Sequence, residues 1–145
     1  YMRKKFNLLI GESTAEKIKK EIGTAIPTSN NVFLMKGRDI RTGTPKEISL
    51  TEEDACEALM PILSQMLSAI KEALESTPPE LSADLVDMGL VLTGGGALLK
   101  NIDKLISKDT GLPVTIADNP LECVATGTGK ALENEELFST MLSEY

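Results

Sequence analysis

LVLTGGGALL, residues 90–99, is the stretch of sequence that decides the fold. It opens with three apolar residues, a pattern typical of a strand buried on both faces of a parallel sheet. Three consecutive glycines follow, and the apolar residues after them, as far as Ile106, have helical spacing. The stretch therefore predicts a strand, a tight turn and a helix, as in an α/β domain.

The triple glycine is the strongest candidate for a ligand site. Without any Cβ atom the backbone can lie flat against a ligand, and amides at the start of a following helix can face negative charge. A flat base or a phosphate would fit there. The alternative is a simple tight turn, for which one glycine is usually enough. Neither the G-x-G-x-x-G fingerprint of dinucleotide sites nor the G-K-[ST] of a P-loop is present.

A second candidate lies on a helix near the start of the chain. Residues 13–16, Ser-Thr-Ala-Glu, have the pattern of a capping box, which predicts a helix that ends at Gly23. Glu16 shares one face of that helix with Lys19 and Lys20. A carboxylate can accept hydrogen bonds from two ribose hydroxyls while a lysine stem lies along an adenine ring. The alternative is that Glu16 only caps the helix and that the lysines form a solvated surface.

The remaining patterns place these two candidates in separate parts of the chain. Strands over residues 32–35 and 46–50 are predicted to form a hairpin, and Thr51 with three acidic residues opens the longest helix. Leu59, Leu63, Met66, Ile70 and Leu74 have helical spacing in it. A helix over 80–87 and a strand over 113–117 follow. Residues 119–122 have the pattern of a second capping box, before a helix so rich in small residues that close packing is expected, and a short apolar stripe ends the tail.

Composition excludes several classes of function. The net charge of −7 argues against a nucleic-acid partner. The absence of histidine excludes His-based catalysis and, with the two cysteines far apart, a zinc site, so no metal ligands are expected. Cys56 and Cys123 are expected to be buried free thiols. No apolar run approaches the length of a membrane span, so a soluble, cytoplasmic protein is expected. The first residues look like the middle of an amphipathic helix, which suggests a fragment whose open sheet edge would favour association.

Several motifs together resemble the MreB family of bacterial actin homologues. They are LTGGGALL at 92–99, NPLECVA at 119–125, GTGKALE at 127–133, KFNLLIGE at 5–12 and TAEKIK at 14–19. The resemblance covers about residues 1–134. It implies an actin-like ATPase of the ribonuclease H-like α/β fold. Residues 1–50 would be a small outer subdomain, 51–134 an inner subdomain with parallel strands and helices, and 135–145 a tail.

The resemblance also implies a ligand and a set of binding residues. ATP would lie in a cleft, held from opposite sides by the outer helix and by the glycine turn. The implied binding residues are Glu16, Lys17, Lys19, Gly94, Gly95, Gly96, Ala97, Leu98 and Leu99. Phosphate turns, Mg²⁺ ligands, hydrolytic residues and membrane-binding elements would belong to a half of the protein that precedes Tyr1. No catalytic residue is therefore expected here, and residues 87–89, which have the pattern D-x-G, are interpreted as a connector.

Three functions remain open from the sequence. The first is part of a cytoskeletal ATPase that polymerises and maintains rod cell shape, with other protomers and the cell-shape and cell-wall synthesis proteins as partners. The second is a small-molecule kinase of the same superfamily, for which the stretch between Gly23 and Thr51 looks too short to hold a substrate subdomain. The third is a non-catalytic assembly module, in which the two candidate segments only pack.

Overall fold

The computed structural model describes residues 1–134, and its first half is built around an antiparallel sheet. The elements are helix α1 (Met2–Phe6), strand β1 (Leu8–Leu9), helix α2 (Glu12–Ile22), strand β2 (Val32–Asp39) and strand β3 (Pro45–Thr51). The sheet order is β1-β2-β3, with Leu8 opposite Asp39 and Met35 opposite Ile48. The predicted hairpin is confirmed, with both strands longer than expected.

A single hydrophobic core fills one side of this sheet. Leu8 and Leu50 are fully buried, and Ile18, Ile22 and Met35 pack with them. Alternation along β2 leaves Val32 and Leu34 on the outer face, as expected of a strand with one solvated side.

The predicted helix at the start of the chain is shorter than the sequence suggested. Helix α1 ends at Phe6 because Asn7 takes a left-handed conformation, with φ of 52°. Asparagine tolerates that conformation better than most residues. The two leucines that follow leave the helix and pair with β2.

Helix α3 (Glu52–Glu75) joins the two halves and begins where the sequence predicts. The Thr51 hydroxyl accepts a hydrogen bond from the Asp54 backbone amide at 3.2 Å, and the Thr51 amide donates to the Asp54 carboxylate at 2.9 Å. This reciprocal pair is a capping box. Leu63 of this helix is buried, as its spacing predicted. The next residue of α3 that packs on a core is Leu67, whereas Met66, which was predicted to lie on the apolar face, is exposed.

The second half carries a two-stranded parallel sheet with helices around it. Its elements are α4 (Pro79–Met88), β4 (Leu90–Leu92), a 3-10 helix (Gly95–Leu98), α5 (Ile102–Thr110), β5 (Val114–Ile116) and α6 (Cys123–Glu133). β4 pairs in parallel with β5, Leu90 lying opposite Val114. Ile102 and Ile106 form the centre of a second core with Leu63 and Ala25. Val91 is 63% exposed, so the prediction that β4 is buried on both faces is wrong for the described residues.

The prediction for the start of α6 is also wrong. Asn119 lies in a left-handed conformation and its carbonyl accepts from the Glu122 amide, which makes a turn where the sequence predicted a capping box. The helix begins at Cys123 instead. A Cβ at Gly127 or Gly129 would meet no atom within 4 Å in the described part of the chain, so the expected close packing of α6 is absent there. The predicted apolar stripe of the tail lies outside the described residues.

The two cysteines differ in environment. Cys56 is a buried free thiol whose Sγ donates to the Ala25 carbonyl oxygen at 3.4 Å, and burial raises the pKa of that thiol. Cys123 is also free but only partly buried. The prediction of buried thiols is therefore confirmed for Cys56 and wrong for Cys123.

Candidate functional site

Helix α2 presents the first group of predicted site residues. Ile18 and Ile22 anchor it on the first core, which leaves Glu16, Lys17 and Lys19 exposed. At its C-terminal end, a Cβ at Gly23 would clash with the carbonyl oxygen of Lys19, so the close approach there requires glycine. The three candidate side chains are thus held on a rigid element whose buried face is fixed.

The predicted capping role of Glu16 is wrong. The helix starts at Glu12, with Gly11 as its N-cap residue in extended conformation, so Ser13 lies inside the first turn. The Glu16 carboxylate accepts instead from Lys20 Nζ at 2.8 Å, and this bond lowers the pKa of Glu16. An exposed pair of this kind contributes little to stability. Glu16 is therefore not required as a helix cap and is available to a ligand.

A cavity of about 680 Å³ lies against α2. Its apolar walls come largely from the first core and from the start of α3, and its charged groups include Glu16 and Lys19. The lining residues are Tyr1, Met2, Arg3, Leu8, Ile10, Glu12, Ala15, Glu16, Ile18, Lys19, Leu50, Asp54, Ala55, Ala58 and Leu59. The structure thus brings Glu16 and Lys19 to one apolar cavity with a charged margin, a lining typical of small-molecule sites.

Lys17 lies elsewhere on the helix. It does not line the cavity, and its Nζ stands 5.8 Å from the centroid of the Phe33 ring. That distance is within the range of a cation–π contact. The Lys17 side chain thus lies on a different face of α2 from those of Glu16 and Lys19.

The glycine turn presents open backbone. Gly94 has φ of 77° and ψ of 177°, a conformation that essentially only glycine adopts, and its amide donates to the Pro120 carbonyl oxygen at 2.7 Å. A Cβ at Gly96 would meet no atom of residues 1–134 within 4 Å, and one at Gly95 would make only an ordinary contact with Leu121. The conformation of the turn therefore requires glycine at position 94. Gly95 and Gly96 instead leave space beside the backbone of the turn.

The chain after the glycines does not enter an α-helix directly, as the sequence predicted. It forms the 3-10 helix, then an extended segment, and α5 begins only at Ile102. Asn101 has φ of 60° and would break a continuous helix. Ala97 is buried, Leu98 is 59% exposed and Leu99 packs on the second core. The backbone amides at the N-terminus of an α-helix are thus not beside the glycines. This weakens the interpretation of the turn as a phosphate site and leaves its interpretation as a site for a flat base.

A bridge joins the end of α2 to the segment that follows the glycine turn. Thr24 pairs with Lys100 in a parallel β-bridge, in which the Ala25 amide donates to the Lys100 carbonyl oxygen at 2.8 Å. Asn101 Nδ2 donates to the Ile26 carbonyl oxygen at 2.9 Å.

Glu16 lies about 9 Å along the helix axis from Ile22, at 1.5 Å per residue. Residues 94–99 do not line the cavity at Glu16, so a nucleoside held between the two segments stays a prediction.

Sequence reasoning missed the residues that make this junction. Glu52 was interpreted only as part of an acidic helix start, and its carboxylate accepts from Lys100 Nζ at 2.6 Å. The available signal was the run of three acidic residues after Thr51. A capping box uses only one of them, so the other two could have suggested a further role. No sequence signal identified Lys100 as its partner.

Residues 1–134 contain no group of three or more Cys, Asp or Glu side chains placed to hold a metal ion. In the same range, none of the helices combines the length and apolar character of a membrane span.

Comparison with known proteins identifies the family. The family model described as MreB/Mbl protein matches residues 1–140. The chain is 49% identical over 135 residues to the cell shape-determining protein Mbl of Bacillus cereus, and 48% identical over 134 residues to the cell shape-determining protein MreB of Escherichia coli. Each match covers 92% of this chain, but only 40% and 39% of the respective relative. The chain thus spans about two fifths of the length of these relatives.

Solved structures agree with the sequence matches. The crystal structure of MreB 5 of Spiroplasma citri bound to AMPPNP has a TM-score of 0.88 and 37% identity, and covers 94% of this chain and 41% of that one. The MamK double helical filament has a TM-score of 0.62 at 24% identity, over 83% of this chain and 37% of that one, and supports the fold alone. The expected actin-like α/β fold is confirmed. The chain belongs to the MreB/Mbl family.

Proposed function

We propose that this chain is the nucleotide-clasping part of an ATP-binding, actin-like cytoskeletal protein that forms filaments and maintains rod cell shape. Family membership supports this proposal, as do the relatives named cell shape-determining proteins in Bacillus cereus and Escherichia coli. Because the chain spans about two fifths of those relatives, polymerisation and any ATP hydrolysis are proposed for a complete protein of their length.

The proposed organisation has an outer subdomain at residues 1–50, an inner subdomain at 51–134 and a tail at 135–145. The two cores support the first boundary: most of the first core comes from residues before Thr51, and most of the second from residues after it. Ala55, which follows the boundary, packs in the first core, and Ala25, which precedes it, packs in the second. The two units would therefore be packed together, with their junction beside the nucleotide.

The observation that carries the proposal is the arrangement of α2. Glu16 and Lys19 on this helix line one cavity, and the helix ends at a bridge beside the glycine turn. In the proposed complex the Glu16 carboxylate accepts hydrogen bonds from the ribose hydroxyls, and the Lys19 stem lies along the base. The open backbone at Gly95 and Gly96 faces the base from the other side, with Gly94, Ala97, Leu98 and Leu99 shaping that wall.

The relatives support a nucleotide as the ligand, since MreB5 of Spiroplasma citri was solved bound to AMPPNP and to ADP. ATP would bring Mg²⁺ with it. Since residues 1–134 contain no candidate metal cluster, the ion would be held by the phosphates and by residues outside that range. This chain's own contribution is to bind and orient the nucleoside. The chemistry of hydrolysis is assigned to other parts of the complete protein.

Filament partners are proposed to be further copies of the same protein. The MamK structure is a double helical filament of a protein with this fold. The outer face of the β2–β3 hairpin, where Val32 and Leu34 are exposed, is the proposed participant. Other cell-shape and cell-wall synthesis proteins are further proposed partners, nucleic acid is not, and a cytoplasmic location is proposed with membrane contact only through the rest of the protein.

Calorimetric titration of the complete protein with ADP tests the nucleotide proposal. Saturable binding of one ADP per chain is expected, with weaker binding in Glu16→Ala and in Lys19→Ala. Glu21→Ala is the matched control, because Glu21 is an exposed glutamate of the same helix that does not line the cavity. No binding by the unmodified protein would reject the proposal in favour of an assembly module.

A further inference from the structure

Glu52 is a buried carboxylate that the proposed nucleotide contacts do not use. It is the first residue of α3 and is 1% exposed. Its Oε2 accepts from the backbone amides of Thr28 and Ser29 at 3.0 and 3.1 Å. Its Oε1 accepts from Ser29 Oγ at 2.6 Å, Asn31 Nδ2 at 3.2 Å and Lys100 Nζ at 2.6 Å. One carboxylate thus collects five hydrogen bonds from two separate segments.

Lys100 holds the same loop in a second way. It follows directly after Leu99, the last residue of the glycine-turn segment. While its Nζ pairs with Glu52, its carbonyl oxygen accepts from the Ala25 amide at 2.8 Å and from Thr24 Oγ1 at 3.1 Å. Lys100 is therefore attached to residues 24–31 both through its backbone and, by way of Glu52, through its side chain.

The position of these contacts gives them their significance. Residues 24–31 follow α2, Glu52 lies one residue after the hairpin ends, and Lys100 follows the glycine turn. Only Glu52 is buried, since the Lys100 side chain is 47% exposed. A buried carboxylate that loses its partners is strongly destabilising, which favours the arrangement of the chain that keeps them. Four of the five donors come from residues 28–31 and one from Lys100, so all five meet at Glu52 only while the glycine-turn segment lies beside the loop after α2.

We propose that Glu52 and Lys100 are positioning residues for the nucleotide site, whose ion pair fixes the glycine turn relative to helix α2. The site itself rests on the proposed function. The pair acts through the backbone of residues 24–31 and 94–99 and does not touch the nucleotide. Breaking it lets the two walls of the site move independently, so a nucleotide that needs both walls binds more weakly.

The test combines two measurements on variants of the complete protein. Glu52→Gln removes the charge with little change in shape, Lys100→Met removes the partner and Lys100→Arg keeps a cation there. The matched control is Lys71→Met, which breaks the ion pair of Lys71 with Asp109 at 2.8 Å, between α3 and α5 and away from the junction. ADP affinity is measured by calorimetry. Hydrogen exchange without nucleotide is followed at the amides of Gly94, Ala97 and Leu99, which are all hydrogen-bonded in the turn.

We expect Glu52→Gln and Lys100→Met each to weaken ADP binding by about five- to tenfold, in the usual range of coupling between sites. The double variant should be no weaker than the single ones, and Lys100→Arg and Lys71→Met should stay within about twofold of the unmodified protein. Exchange at the three turn amides should be faster in Glu52→Gln and Lys100→Met than in the Lys71→Met control.

A purely local role gives a different result. If exchange at Thr28 and Ser29 accelerates while the turn amides and the ADP affinity are unchanged, the positioning role is overturned. Should Glu52→Gln fail to fold, Lys100→Met decides alone, because it leaves Glu52 four of its donors. If the unmodified protein binds no ADP, the proposed function fails, and the exchange comparison still determines whether the pair positions the turn.

Discussion

Helix α2 and the glycine turn would serve one ligand in opposite ways. The helix offers side chains, Glu16 and Lys19, on a backbone fixed by Ile18 and Ile22. The turn offers bare backbone: within residues 1–134, a Cβ at Gly96 would meet no atom within 4 Å and one at Gly95 only Leu121. A site of the first kind is damaged by removing atoms, and one of the second kind by adding them. Substitutions of the two kinds should therefore differ in how much they weaken ADP binding.

The largest effect is expected from adding a side chain to the turn. Gly95→Val should lower ADP affinity at least about a hundredfold, which equals about 2.8 kcal/mol, because the new methyl groups would occupy the space of the base. The fold should survive, since among residues 1–134 a Cβ at Gly95 meets only Leu121, at an ordinary 3.5 Å. Calorimetry gives the affinity, and a thermal melt of the same variant checks the fold. Unaltered affinity would remove the turn from the site.

The next effect concerns the junction that joins the two regions. Hydrogen bonds from Lys100, Ser29 and Thr28 lower the pKa of Glu52 to about 2, from an ordinary 4.5. A carboxyl with a lowered pKa stabilises the fold above its unfolded pKa and loses that contribution as the pH falls through the folded one. The excess stability of the unmodified protein over Glu52→Gln should be constant above about pH 4.5 and shrink toward pH 2. Urea unfolding of the unmodified protein and of Glu52→Gln between pH 6 and 2 measures this difference. A difference that stays constant down to pH 2 would contradict the lowered pKa of Glu52.

Gly94 should matter to stability more than its neighbours. Its φ and ψ fall in a region almost reserved for glycine, so Gly94→Ala should cost about 1–3 kcal/mol of unfolding free energy. Gly96→Ala is the comparison, because a Cβ there meets open space within residues 1–134 and the φ of Gly96 is not positive. Urea unfolding of the two variants should therefore differ. Equal losses would mean that the turn relaxes around either substitution.

Removing a side chain from the helix should have a moderate effect. Glu16→Ala is expected to weaken ADP binding about tenfold, equivalent to about 1.4 kcal/mol, through loss of the bonds to the ribose. Stability should hardly change, because Glu16 caps nothing and its pair with Lys20 is exposed. Titration of ADP into this variant, beside the Glu21→Ala control, measures the effect. Equal affinities in the two variants would exclude Glu16 from the site.

Lys17 should show the smallest effect. The resemblance to the MreB family included it among the binding residues, but its Nζ is directed toward the Phe33 ring and it does not line the cavity. Lys17→Ala should change ADP affinity by less than about twofold, against a larger change for Lys19→Ala. A loss equal to that of Lys19→Ala would show that the helix presents a wider face to the ligand.

The order of elements and their type could largely be predicted from sequence, because each rests on a local pattern. The hairpin alternates every second residue, and Thr51 with Asp54 forms the cap at the start of α3. Failures occurred where one residue overrides a pattern. Asn7, Asn101 and Asn119 take positive φ. The first two end or interrupt a helix that the apolar spacing would have continued, and Asn119 makes a turn where a capping box was predicted. The burial of β4 also failed, because an apolar run does not reveal whether both faces are covered.

The candidate site was less predictable than the fold. Glu16 and Lys19 could be proposed because they share one face of one helix, a local property. The pairing of Glu52 with Lys100 spans 48 positions in the chain and depends on how two units meet. No local period encodes such a contact.

The buried thiol of Cys56 provides a natural reporter within the molecule. Its Sγ is hydrogen-bonded to Ala25, beside the Thr24–Lys100 bridge, and its raised pKa keeps the unreactive thiol form dominant. Alkylation at this position therefore requires the contact between α3 and the loop after α2 to separate. The rate at which Cys56 is labelled would therefore report how often this contact opens, with no change to the sequence.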